Sequence, residues 1–117
     1  MTDDPLELEW DEIRVKVDLG AERLIAAERG EKKIAVEIKS FIAPSAISDF
    51  HTAVGQVLNY QIMLEVSEPD RQLYLAVPLE IYETFFQSRF AQAAIQRYQL
   101  NLLIYDPVRE EILEWTT

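Results

Sequence analysis

Two charged residues interrupt an apolar segment in the first half of the chain. Glu37 and Lys39 lie two positions apart in the run IAVEIKS of residues 34–40. Side chains two apart on a β-strand point to the same face of the sheet, so we expect both residues on one surface. A buried strand seldom carries charge for structural reasons alone, because removing a charge from water is costly. The pair is therefore a candidate for metal binding and hydrolysis.

A second carboxylate is expected to join this pair. Asp18 follows an alternating segment in which Val15 and Val17 are apolar, and it would lie beside Glu37 if the two strands were neighbours in register. Two carboxylates leave open positions on Mg²⁺ or Mn²⁺, which retain waters that a substrate can replace. The ion would activate water for phosphodiester hydrolysis, and Lys39 would orient that water or stabilise the transition state.

The spacing by itself does not identify a catalytic site. A chain of this composition contains roughly 0.7 acidic-x-Lys pairs by chance. A second pair does occur, Glu31 with Lys33, in a segment that reads as a turn. The alternative interpretation is that Glu37 and Lys39 line a solvated sheet face, with Asp18 at the end of a strand. The residue pattern leaves both interpretations open.

Hydrophobic periodicity predicts the elements that would position these residues. Alternation predicts a meander of three strands, and helical spacing then predicts a long helix that starts near Ser45. The predicted strands cover residues 13–19, 24–28, 33–40, 73–77, 100–105 and, as a short edge strand, 112–115; the predicted helices cover 45–65 and 80–98. This order predicts a single α/β domain over residues 1–117, with a mixed sheet flanked by helices.

Composition excludes several kinds of site. The chain has 117 residues, one histidine and no cysteine, which rules out disulfides, thiolate sites and histidine-rich metal sites. His51 is better explained as a polar surface residue than as a catalytic base. No secretory leader or membrane span is recognisable, so we expect a cytoplasmic protein. The net charge of −10 argues against non-specific nucleic-acid binding, which needs clustered Lys and Arg.

Three ordered blocks of the sequence resemble one known family. The blocks are VDLGAERLIAAERGEKKIAVEIKSF, HTAVGQVLNYQ and DRQLYLAVPLEIYETFF. They closely resemble the XisH family, named for controlling excision of the fdxN element, and the resemblance covers nearly the whole chain from near Asp4. That family is similar to the PD-(D/E)XK nucleases. The resemblance therefore implies a restriction-endonuclease-like mixed β-sheet flanked by helices.

The resemblance also implies roles for individual residues. Asp18 and Glu37 match the metal ligands, for Mg²⁺ or Mn²⁺, and Lys39 matches the catalytic lysine. Gln56, on the long helix, falls where many of these nucleases place a glutamine that touches the site. The alternative for Gln56 is an ordinary glutamine on the surface of the helix.

The start of the chain departs from the family pattern. XisH-like chains usually begin with a helix and a strand ahead of the segment that is Asp4-Pro5-Leu6 here, and related nucleases often draw a further acidic residue from that helix. We therefore expect one of three explanations. The protein is a natural short form, or its start is misassigned, or it has lost part of its site. Glu22 and Glu28 are the speculative replacements.

Two functions follow from the resemblance. The first is an accessory factor in programmed DNA-element excision, a form of site-specific recombination, with a Mg²⁺-dependent nuclease-type site acting on DNA. The second is a catalytically inactive nuclease fold that binds an XisI-like companion protein or a recombinase. The acidic charge and the missing first helix favour the second function. A homodimer through an exposed sheet edge is a further expectation.

Overall fold

The computed structural model describes the backbone of residues 6–10, 13–17, 23–29, 32–39, 41 and 45–116, and side chains from residue 33 onward within those ranges. These residues contain the strands β1 (Leu6–Trp10), β2 (Ile13–Val17), β3 (Arg23–Arg29), β4 (Lys32–Ile38), β5 (Gln72–Pro78), β6 (Leu102–Asp106) and β7 (Glu111–Thr116). They also contain the helices α1 (Ala46–Ser67), α2 (Leu79–Glu83) and α3 (Arg89–Tyr98), with a 3₁₀ turn at Phe85–Gln87.

All the described strands belong to one mixed sheet. The strand order is β2-β1-β7-β6-β5-β4-β3. Strands β4, β5 and β6 run parallel, whereas β1–β2, β3–β4 and β6–β7 are antiparallel pairs and β1 meets β7 in parallel. Parallel neighbours need a crossover connection. Helix α1 supplies it between β4 and β5, and the segment containing α2 and α3 supplies it between β5 and β6. The predicted mixed α/β fold is confirmed.

The sheet has a buried core on each face. The helix-side core lies between the sheet and the helices, and it contains Ala35, Phe50, Ala53, Val57, Leu73, Leu75, Val77, Phe86, Leu102 and Ile104 among others. The far-side core lies on the opposite face and contains Ile34, Val36, Ile38, Tyr74, Ala76, Leu103, Tyr105 and Ile112. Strands buried on both faces explain why β4, β5 and β6 read as nearly continuous apolar runs.

The curvature of the sheet explains how the far-side core is covered. Strands β2 and β3 lie at opposite ends of the strand order, yet their Cα atoms approach within 8 Å. In a flat sheet, seven strands would separate those edges by about 29 Å at the usual spacing between strands. The sheet must therefore curl toward the far side, where it encloses the far-side core.

The long helix begins where its capping residue predicts. Ser45 has an extended backbone, and its hydroxyl oxygen accepts a hydrogen bond from the Ser48 amide at 3.2 Å. The helix buries Phe50, Ala53, Val57 and Leu64 against the sheet. In the described part of the chain, neither α1 nor any other helix combines the length and apolar character needed to cross a bilayer.

The predicted continuous helix over residues 80–98 is wrong, because this segment is divided into three pieces. The Thr84 hydroxyl donates to the Glu80 carbonyl at 2.7 Å, and Thr84 leaves the helical conformation. Ser88 is extended, and its hydroxyl accepts from the Ala91 amide at 3.2 Å, which starts α3. Hydroxyl side chains that bond to nearby backbone groups compete with a continuous helix.

The predicted meander of three strands is also wrong. Strands β3 and β4 form a hairpin at one edge of the sheet, whereas β2 pairs with β1 at the other edge. Strand β1 was not predicted, and it covers one side of β7, which is therefore an interior strand and not the expected edge strand. Periodicity identifies strands but carries no information on which strands pair over long distances.

Candidate functional site

The structure places Glu37 and Lys39 on the helix side of the sheet. Ile34, Val36 and Ile38 contribute to the far-side core, so the alternate residues of this segment face α1. Glu37 pairs in register with Leu75 of β5, which belongs to the helix-side core. The shared face that the spacing predicted is the one found in the structure.

Both charged side chains are withdrawn from solvent. Glu37 is 0% exposed and Lys39 is 9% exposed, and they are the buried charged residues of the described part of the chain. A buried charge is expensive unless another charge, a hydrogen bond or a metal compensates it. The interpretation of a solvated sheet face, which the sequence left open, is therefore wrong.

Asp49 is the charged partner that helix α1 brings to this position. Its Oδ1 lies 3.9 Å from Lys39 Nζ, and the two side chains are only 14% and 11% exposed. Asp49 also lies in the first turn of α1, where its amide donates to the Ser45 carbonyl at 3.2 Å. A carboxylate in that turn is stabilised by the helix dipole. The first turn of α1 thus delivers negative charge to the lysine.

Asp49 was not among the site residues predicted from the sequence. A usable signal was nevertheless present, because Asp49, Ala53 and Gln56 recur at helical spacing on one side of α1. Ala53 is fully buried and Gln56 is partly buried, with its Oε1 atom shielded from solvent. Gln56 is therefore not the plain surface glutamine that was the alternative interpretation.

The chain leaves β4 through a constrained backbone conformation. The Lys39 amide still donates to the Ala76 carbonyl at 3.2 Å, which extends the pairing with β5 by one residue. Phe41 then adopts a positive φ of 56°, which is uncommon for a bulky residue. Its buried ring packs edge-on against Phe86, with the centroids 5.6 Å apart. Packing of this ring compensates the backbone cost at Phe41.

Three acidic candidates from the sequence cannot be placed at the site. Asp18 and Glu22 lie outside the described residues, and the side chain of Glu28 in β3 also lies outside them. The assumption that brought Asp18 to Glu37 was that their strands are neighbours. That assumption is wrong, because β2, which ends at Val17, does not pair with β4.

The site offers oxygen donors, which are the type of ligand that a hard divalent cation prefers. Glu37 offers carboxylate oxygens on a face that the helix shields from solvent, and Mg²⁺ and Mn²⁺ prefer oxygen ligands. In residues 33–39, 41 and 45–116, no three Asp, Glu or His side chains group closely enough to hold an ion. A cation at Glu37 would thus need a donor from outside those residues, for which Asp18 is the candidate.

A separate polar cavity lies at the opposite end of the parallel strands. Its volume is about 320 Å³, and it is lined by Gln61, Glu65, Arg71, Tyr98 and Asn101 among others. Arg71 has a structural role there: its Nη1 donates to the Ile34 carbonyl at 2.7 Å, and its Nε and Nη2 donate to Glu68 Oε1. This cavity is distinct from the surface of Glu37 and Lys39.

A family model describing the XisH protein matches residues 1–113 of the chain, including all four candidate site positions. The chain belongs to the XisH family. An XisH family protein of Nostoc punctiforme with a solved crystal structure is 48% identical and has a TM-score of 0.78, and the match covers 99% of this chain and 86% of that one. An fdxN element excision controlling factor protein of Anabaena variabilis is 50% identical, with a TM-score of 0.77 and coverage of 99% and 85%. No curated protein matches this XisH chain.

Proposed function

We propose that this XisH protein helps to control the excision of a DNA element, and that it does so through a nuclease-type site on a restriction-endonuclease-like fold. The relative from Anabaena variabilis, 50% identical over 99% of this chain, is described as an fdxN element excision controlling factor. Identity at this level over a whole domain supports a shared role. DNA and a recombinase are the partners that such a role requires.

One observation carries the proposal for the site. The chain buries an acid and an amine, Glu37 and Lys39, two residues apart on a segment whose other face carries the buried apolar side chains of Ile34, Val36 and Ile38. If stability were the only requirement, apolar side chains would be expected at both positions, because they avoid the cost of removing a charged group from water. Buried charges that weaken a core are typical of a site retained for its chemistry.

The residues of the site would divide the work of phosphodiester hydrolysis. Glu37, together with Asp18, would hold Mg²⁺ or Mn²⁺, and the bound cation would supply an activated water and neutralise charge on the phosphate. Lys39 would orient the attacking water and stabilise the developing negative charge. Asp49 would hold the Lys39 ammonium in place, and Gln56 would contribute an amide at the edge of the site.

The first test measures cleavage and cation binding together. Wild-type protein should cleave linear, branched or supercoiled DNA with Mg²⁺ or Mn²⁺, and Glu37→Gln and Lys39→Gln should each reduce the rate by at least about a hundredfold. Glu114→Gln, on an exposed position of β7, is the matched control and should retain full activity. Calorimetric titration with Mn²⁺ should show that Glu37→Gln loses the cation and that Glu114→Gln keeps it.

Two outcomes of that test would contradict a catalytic site. One is the absence of cleavage of every DNA form by the wild-type protein with both ions. The other is unchanged cleavage or unchanged Mn²⁺ binding by Glu37→Gln, because either result removes Glu37 from the proposed machinery.

A second function is favoured by the enclosure of the same residues. Glu37 is fully buried, and Lys39 forms an ion pair with Asp49 within the chain. The positive charge of Lys39 is therefore already compensated before any phosphate approaches. The net charge of −10 also opposes the approach of DNA. These observations favour a catalytically inactive fold that binds an XisI-like companion protein.

Co-purification tests this second function. The wild-type protein and Glu37→Gln should both retain a co-expressed XisI-like companion through size-exclusion chromatography, because the binding surface would not involve the buried acid. Separate elution of the two wild-type proteins at micromolar concentration would exclude a stable complex.

A further inference from the structure

The polar cavity at the far end of the parallel strands from Glu37 lies where two helices end. Its volume of about 320 Å³ is at the lower end of the range for small-ligand sites. Gln61 and Glu65, one turn apart near the end of α1, and Tyr98, the last residue of α3, line it. The C-terminal end of a helix carries a partial negative charge. Two such ends give this cavity a negative potential.

Glu65 occupies a position that is electrostatically unfavourable within the chain. It lies in the last turn of α1, where the helix dipole opposes an acidic side chain and where no basic residue offsets the charge. Within the part of the chain that the structure describes, no Lys or Arg side chain pairs with it. The carboxylate therefore carries a negative charge that the fold does not use and that a cation from outside can reach.

Arg71, the basic residue of the described lining, is already neutralised. Its Nε and Nη2 donate to Glu68 Oε1 at 3.1 and 3.0 Å, and its Nη1 donates to the Ile34 carbonyl at 2.7 Å. Charge-assisted hydrogen bonds of this kind hold the guanidinium strongly to its own chain. Arg97, in the last turn of α3, lies outside the lining. The charge that remains at the cavity is that of Glu65, which favours a cation over an anion.

The other lining groups match a planar cation that is rich in hydrogen-bond donors. Asn101 Nδ2 donates to the Leu73 carbonyl at 3.2 Å, so Asn101 offers its Oδ1 atom to a ligand as an acceptor. The Tyr98 ring is 44% exposed, and an aromatic face attracts a cation within about 6 Å. A guanidinium bonds to a carboxylate through two N–H groups and stacks on aromatic rings, whereas an ammonium is a compact, strongly hydrated charge. The lining therefore favours arginine over lysine.

We propose that this cavity binds the guanidinium of an arginine side chain from a partner protein. Glu65 supplies the carboxylate, Tyr98 supplies the ring on which the guanidinium stacks, and Asn101 supplies a further acceptor. A chain with a net charge of −10 attracts basic segments over a long range, and the cavity gives that attraction a defined anchor. The site does not depend on the chemistry proposed for Glu37, because the two lie at opposite ends of the strands.

Peptide titration followed by nuclear magnetic resonance tests the ligand class. The probe is a blocked tripeptide with one arginine between two glycines, added to the full-length ¹⁵N-labelled protein. The side-chain amide signals of Gln61 and Asn101 should shift and saturate with a Kd of about 1 mM, which suits a single anchoring group. The same peptide with lysine in place of arginine should bind at least about threefold more weakly.

Variants test the individual contacts. Glu65→Gln should weaken binding of the arginine peptide by about tenfold, and Tyr98→Leu should weaken it by about threefold, whereas Tyr98→Phe should retain it. Glu83→Gln is the matched control, because Glu83 is also an exposed glutamate in the last turn of a helix, α2, and lies outside the cavity. Its affinity should equal that of the wild-type protein. Glu65→Gln should keep the wild-type thermal midpoint or raise it, because the dipole opposes the carboxylate.

Several results would overturn the proposal. One is the absence of saturable shifts at about 20 mM arginine peptide. Equal weakening by Glu65→Gln and Glu83→Gln would show diffuse attraction to an acidic protein instead of a site. Shifts of the same signals with inorganic phosphate but not with the arginine peptide would make the cavity an anion site at Arg71. A thermal midpoint lowered by Glu65→Gln would show that the fold itself uses this carboxylate.

Discussion

Tyr105 offers a direct test of how the far-side core is built. The residue lies in β6 and is 0% exposed among the apolar side chains of that core. Its hydroxyl is shielded from solvent and has no hydrogen-bond partner in the described part of the chain. A buried hydroxyl that makes no hydrogen bond costs about 1–3 kcal/mol, because it has lost its bonds to water. We therefore expect a conservative substitution that removes this hydroxyl to stabilise the protein.

The perturbation is Tyr105→Phe, which keeps the ring and removes only the oxygen. We expect the free energy of unfolding at pH 7 to increase by about 1 kcal/mol, the lower end of that range, because a void of one oxygen atom remains in the packed core. Urea unfolding followed by circular dichroism measures the difference as a higher midpoint with an unchanged slope. Tyr98→Phe, at a ring that is 44% exposed, is the matched control and should change stability by less than about 0.5 kcal/mol.

The pH dependence provides a second, independent measurement on the same variant. Burial raises the pKa of the Tyr105 phenol well above its ordinary value of 10.0. The folded protein therefore keeps the proton at a pH where the unfolded chain releases it, so the stability is intact below pH 10 and falls as the pH rises above it. The loss is about 1.4 kcal/mol for each pH unit above that value. The advantage of Tyr105→Phe should accordingly widen by about 1.4 kcal/mol between pH 9 and pH 11.

Either measurement can refute this reasoning. A Tyr105→Phe variant that is less stable than the wild-type protein at pH 7 would mean that the hydroxyl makes a favourable interaction in solution. A stability difference that stays constant up to pH 11 would mean that the phenol ionises as readily in the folded protein as in the unfolded chain.

Three further substitutions probe the elements that position the site. Asp49→Asn should lower the free energy of unfolding by about 1–3 kcal/mol, because it removes the carboxylate charge that lies 3.9 Å from the buried Lys39 ammonium. In the same urea assay Arg109→Gln, at a side chain that is 76% exposed, should change the free energy of unfolding by less than about 0.5 kcal/mol. Ser88→Ala should cost about 1 kcal/mol by removing the cap of α3, seen as a lower thermal midpoint, and an unchanged midpoint would contradict the capping role. Phe86→Ala should cost about 3–5 kcal/mol because the ring is 0% exposed, and a loss below 1 kcal/mol in urea unfolding would show that the core is loosely packed there.

Local features of the fold could be predicted because their causes are local. The alternation around Val36 predicted a strand, and the hydroxyl of Ser45 predicted the start of α1; both predictions are confirmed. The family was recognised from three sequence blocks, and that recognition is confirmed. The break at Thr84 was missed because a helical apolar pattern continues across it, and only the hydroxyl contacts reveal the interruption.

The site shows the same division between local and distant information. The common face of Glu37 and Lys39 follows from the two-residue period of a strand, so the sequence was sufficient for it. The partnership of Lys39 with Asp49 depends on how α1 crosses the sheet, which no local pattern encodes. The roles of Asp18, Glu37, Lys39 and Gln56 in cation binding and catalysis stay predictions.

The sequence by itself determined the mixed α/β class, the family, most strand and helix positions and the two charged residues that face one way. These properties depend on short-range periodicity, capping and ordered motifs, each of which lies within a few residues of its effect. Only the tertiary structure decided that β2 and β4 are not neighbours and that Glu37 is buried. Burial and pairing depend on which distant segments come together, and that is a property of the whole packed chain.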